Sequence, residues 1–160
     1  LIQPLATANP STQFLSIYGL EVAQQVGPVL QSENSHARLN AAIVIERAAG
    51  ATTAAVLGDP ILAAINDPSA GISMWGIRAA GSLIASRPPA EAKPLVDAVL
   101  AAAERHVESS AIINEAYLAL TRRKTQIPAE TIDAVQSLLA ARTARSPVVD
   151  PFADEKGVRF

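Results

Sequence analysis

Apolar residues along this chain recur at the three- and four-residue intervals of a helix, and no stretch alternates apolar with polar positions as a strand would. The pattern predicts helices at 10–26, 35–49, 59–66, 70–86, 90–107, 110–124 and 128–144, with short turns near 28–31 and 51–57. Helix starts are marked by proline, which tolerates the first helical position because its missing N–H has no intrahelical partner there. Asn9-Pro10, Asp59-Pro60 and Asp67-Pro68 each pair a capping side chain with Pro. Pro89 with Glu91, and Pro128 with Glu130, set an acid in the first turn, against the positive end of the helix dipole. Gly27-Pro28 is expected to end or kink the first helix, and Pro94 to do the same early in the fifth. The chain thus reads as an extended lead over 1–9, a helical domain over 10–145 and an extended tail over 146–160.

One predicted helix is apolar on more than one face. The stretch from Arg38 to Gly50, RLNAAIVIERAAG, places Leu39, Ala42, Ile45 and Ala49 on one side, while His36, Asn40 and Arg47 share a polar stripe opposite. Such a helix needs cover on several sides. Two later segments repeat its pattern: LNAAIVI at 39–45, IRAAGSL at 77–83 and INEAYLA at 113–119 align their small residues at offsets of 38 and then 36 residues. An interval of that size, each holding two helices, is the signature of stacked helical hairpins that bury their apolar faces on their neighbours.

The segment ARLNAAIVIERAA resembles the second helix of a HEAT repeat, in which an apolar residue and Arg precede a small pair and an apolar run. Ala37, Arg38, Ala41, Ala42 and Ile45 fit that pattern. The resemblance covers about residues 10–145 and implies an all-α, right-handed α-α superhelix of the HEAT-like or armadillo type, an α-solenoid of about three and a half hairpins. The later copies depart from it, with Gly76 and Ile112 at the Arg position, so the Arg ladder of the family is not carried over to them. A closed helical bundle without a groove is the competing arrangement.

Composition narrows the partners. Nearly half of the 160 residues are apolar, mostly Ala, Leu, Ile and Val, with six aromatics, which suits one domain of closely spaced helices. Thirteen basic residues against fifteen acidic ones supply no broad positive field, so nucleic acid is not the expected partner. There is no cysteine, hence neither disulfide nor thiolate chemistry. No uninterrupted apolar run of about 18 residues is present, so no membrane span is expected. Leu1 stands where an initiating Met would, without a basic and apolar leader, and reads as a mature or trimmed form; the compartment stays open.

Candidate chemistry is sparse. His36 and His106 lie far apart and lack acids at ligand spacing, so no metal or cofactor is expected. His106, in the last turn of its helix, suits the negative end of the dipole, as do Arg122, Arg123 and Lys124. The nucleophile elbow G-x-S-x-G and the phosphate-cradling glycine patterns are absent. What remains is a surface: the second helices of an α-solenoid line its concave side, so His36, Asn40 and Arg47, with their counterparts Arg78 and Asn114, could form a groove for a partner. Trp75, the only tryptophan, belongs to the residue type most enriched at interface hot spots. The expected function is a non-enzymatic interaction or scaffold module that binds another protein or a further copy of itself. The alternative is a ligand-binding or enzymatic domain with a cleft near Trp75 and Arg78. Phe14, Ile17 and Tyr18, among Gln13, Gln24 and Gln25 on the first helix, point to a missing neighbour if exposed. Phe152 and Phe160 are the expected anchors of the tail on an apolar groove of this stack or of a neighbouring copy.

Overall fold

The computed structural model describes residues 10–52, 55–122 and 129–144, and among these it is all-helical, with seven α-helices, one 3-10 turn and no strand. The helices are α1 (Thr12–Leu30), α2 (Ser35–Thr52), α3 (Gly58–Ile65), α4 (Ala70–Ser86), α5 (Pro89–Arg105), α6 (Ser110–Thr121) and α7 (Ala129–Thr143), with the 3-10 turn at Ala55–Leu57. The predicted lead and tail, including Phe152 and Phe160, lie outside the described residues, as do Arg123 and Lys124.

The caps differ in detail from the proline marks. Ser11 caps α1 by accepting the Phe14 N–H at 3.1 Å. Asn34 caps α2 through Oδ1, which accepts from the N–H groups of His36 and Ala37. Asp59 lies within the first turn of α3, because that helix continues directly from the 3-10 turn and its cap position falls on Leu57. Asp67 closes the turn ahead of α4 instead of capping it: its Oδ1 accepts the Ser69 N–H at 2.8 Å, while Ser69 holds the cap position without a side-chain hydrogen bond. Gly27-Pro28 does not end α1, which runs on to Leu30. Pro28 falls in the last turn on an exposed side, where the carbonyl it leaves without an intrahelical donor can meet water.

Packing follows chain order twice over. α1 packs on α2, α3 on α4 and α5 on α6; in addition α2, α4 and α6 pack in succession, and so do α1, α3, α5 and α7. α4 therefore packs against four helices, α2, α3, α5 and α6, and ten of its residues are buried. Two glycines permit this. A Cβ on Gly76 would stand 2.5 Å from the Ile65 backbone nitrogen, and one on Gly81 would stand 3.0 Å from Ala119 Cα. The first crossing draws α3 onto α4 and the second draws α6 onto α4, closer than any side chain there would allow.

The core is built from Ile45, Ile61, Ile65, Ile72, Ile77, Leu83, Ile112 and Ile113, all fully buried, interleaved with alanines. Each such aliphatic side chain removed from water contributes roughly 1.5–3 kcal/mol before the entropy of ordering it is set against the gain. The apolar segment of α2 is covered as its composition requires: Ala41, Ala42, Ile45, Ala48 and Ala49 are buried, and α1 and α4 flank it. At the other end of the chain Arg142 is buried and donates from Nη1 to the Val107 carbonyl, tying α7 to the turn after α5. The outer face of α1 stays open, with Ile17 54% exposed and Phe14 stacked on Tyr18 at 6.1 Å between ring centroids. No helix among the described residues is long and apolar enough to cross a membrane.

Candidate functional site

The polar side chains that α4 does not bury converge with those of its neighbours. Trp75 and Arg78 lie three positions apart on α4 and so share a face. The Arg78 guanidinium sits 4.6 Å from the centroid of the half-buried Trp75 ring, within cation–π range. From there it reaches α6 and grips Glu115 with two hydrogen bonds, Nε to Oε2 at 3.1 Å and Nη2 to Oε1 at 2.5 Å. The fork geometry of Arg matches a carboxylate with two separate nitrogens, which lysine, having one, cannot supply.

The Arg78 pKa is raised above the ordinary arginine value, first by the hydrogen bond to Glu115, then against partial burial by the negative charges of Glu115 and of Glu46 on α2. Glu46, Arg78 and Glu115 thus run as minus, plus, minus across three helices. They line an open groove of about 520 Å³ with Leu118, Ala119, Thr121 and Arg122. Arg122 is held by a hydrogen bond from Nη1 to Ser82 Oγ at 3.0 Å, and Leu118 is exposed.

The residues singled out by sequence divide into two groups. Arg78 lines the groove, with Trp75 against its guanidinium. His36, Asn40 and Arg47 are exposed along α2, and Asn114 on α6 is half-buried, but none of them lines the groove. Glu46, Glu115, Leu118 and Arg122 do, and sequence reasoning missed them. A signal was there for Glu115. It lies 37 residues after Arg78, one beyond the 36-residue offset of the repeated segments, and carries the opposite charge.

A second polar junction lies away from the groove. Arg38 donates from Nε to Asp67 Oδ2 at 2.7 Å and from Nη1 to the carbonyls of Ser32 and Glu33. It joins the α1–α2 turn to the α3–α4 turn. The equivalent positions Gly76 and Ile112 make no such link; Gly76 serves the close helix crossing instead.

His106 behaves otherwise than a cation at a helix end should. Its Nε2 is shielded and has no hydrogen-bond partner, and its pKa is lowered by loss of solvent and then by the charge of Arg105. Desolvation outweighs the dipole, so the neutral form is favoured. Among the described residues no group of three or more His, Asp or Glu is placed to hold a metal ion. Comparison with known proteins gives no significant match to a family model, to a curated protein or to a solved structure.

Proposed function

We propose that this chain is a non-enzymatic protein–protein interaction or scaffold module, a short HEAT-like α-solenoid whose α2, α4 and α6 face receives a partner. The observation that carries the reading is the open groove around Arg78. Arg78 and Glu115 fix one another, Ser82 holds Arg122, and Trp75 and Leu118 add apolar surface beside them. Arg and Trp held rigid before binding lose little freedom when a partner docks, which is the character of an interface hot spot. The succession of α2, α4 and α6, and of α1, α3, α5 and α7, supports the stacked-hairpin reading. The exposed apolar face of α1 supports a role within a larger assembly, because a terminal repeat facing water needs a polar outer surface.

The test is affinity capture by the tagged chain, compared with a Trp75→Ala/Arg78→Ala variant whose helicity is checked by circular dichroism. The reading expects one or more proteins retained by the parent and lost with the variant. An identical set on both, with both folded, would sink it.

A further inference from the structure

Across the face of α2, α4 and α6 the charges follow an order that no single helix carries. α2 and α6 both pack on α4, and the groove draws Glu46 from the first, Arg78 from the middle and Glu115 and Arg122 from the last. The centre is self-satisfied, because Arg78 and Glu115 neutralise one another. The flanks are not. Glu46 acts on Arg78 by charge alone, and among the described residues no hydrogen bond or ion pair holds its carboxylate. Arg122 donates to the neutral Ser82 hydroxyl, and among the described residues no carboxylate pairs with it. One flank thus offers a spare negative charge and the other a spare positive one.

Resting on the reading of this face as an interface, we infer that its occupant is a second copy of the chain, laid face to face about a two-fold axis along α4. A two-fold contact requires one patch to carry its own complement. An axis along the middle helix sets α2 of each copy over α6 of the other. Glu46 then meets Arg122 of the second copy, and Arg122 meets its Glu46, so one operation answers both spare charges. The centre brings neutral pairs together, with the exposed Leu118 and the Trp75 ring supplying apolar cover. The four groove charges sum to zero and the whole chain carries only −2, so two copies approach without strong repulsion. The area suits a dimer of modest strength. The 17 residues of α4 span about 26 Å, and three helices at spacings of about 8–10 Å make a face about 25 Å wide. That bounds the contact at roughly 650 Å² per copy, near the roughly 800 Å² per partner of a standard interface.

The experiment is sedimentation equilibrium on the full chain and its charge-reversal variants, each checked for helicity by circular dichroism. The parent should approach twice the chain mass as concentration rises, and lose dimer as salt screens the flanking pairs. Glu46→Arg and Arg122→Glu should each raise the dimer Kd by about tenfold or more, since the two-fold repeats every clash. Mixed in equal amounts, the two variants should form a heterodimer near parent strength, because each then supplies the charge that the other lacks. A parent that stays monomeric at millimolar concentration would overturn the proposal. So would single variants that dimerise as the parent does, which moves the contact to another face, or folded variants that stay monomeric when mixed. A monomeric parent removes the second copy alone; the affinity capture with Trp75→Ala/Arg78→Ala then decides separately whether the face is an interface.

Discussion

Arg38–Asp67 and Arg78–Glu115 are the same kind of pair in two settings. Arg38 and Asp67 are nearly enclosed, with side chains 17% and 6% exposed, and both have further work: Arg38 donates to two backbone carbonyls and Asp67 closes the turn before α4. Arg78 and Glu115 are 35% and 11% exposed, and beyond the pair Arg78 meets the Trp75 ring and an open groove. A pair that ends in backbone carbonyls holds two turns together. A pair that ends in a groove leaves an oriented cation and a carboxylate at a surface. The surroundings assign the role, because desolvation sets what is lost when one partner is removed.

The comparison predicts a graded series. Asp67→Ala removes the turn hydrogen bond to Ser69 and strands the Arg38 guanidinium, and should cost about 3 kcal/mol in denaturant unfolding. A loss no greater than that of an exposed pair would show that the junction does not hold the turns. Arg78→Ala should cost only about 1 kcal/mol, since solvent already screens the arginine, but it should abolish partner retention. The split between small stability loss and complete binding loss is what separates the two junctions. His106 offers the opposite case, a polar group shielded without a partner. Its folded pKa lies below its unfolded value of 6.5, so the unfolded chain takes up the proton first. Stability is therefore full above that value and falls as pH drops through about 6.5 toward the lowered folded pKa. His106→Gln should flatten this part of the stability–pH curve, measured by thermal melts above the carboxylate range. Smallest is Lys93→Ala. Lys93 and Asp97 are 62% and 58% exposed, and an i,i+4 surface pair of this kind contributes about 0.3 kcal/mol.

Gly76 and Gly50 extend the same lesson to packing. Both lie inside helices, yet a Cβ on Gly50 meets nothing within 4 Å, while one on Gly76 collides with the backbone of α3. Gly50→Ala should stabilise by about 0.5 kcal/mol through helix propensity. Gly76→Ala should destabilise by about 2 kcal/mol by forcing α3 away from α4.

Much is legible in the sequence. Helical class, the approximate extents of the helices and the exposed stripe of His36, Asn40 and Arg47 follow from periodicity, since a helix turns by a constant angle per residue and sorts its faces by composition. Local punctuation was less dependable. Pro28 reads as a stop and is carried through, because only the exposure of that turn lets water meet the orphaned carbonyl.

The tertiary structure alone decided which acid meets which arginine. Glu115 misses the repeat register by one residue, so its meeting with Arg78 depends on how α6 is rotated against α4, and the two pack closely where Gly81 meets Ala119. It also decided the setting of His106, whose place at a helix end favours the cation while the surrounding chain shields Nε2 and lowers its pKa. Periodicity is a property of one helix. Desolvation and contact belong to pairs of helices, and no single segment encodes them.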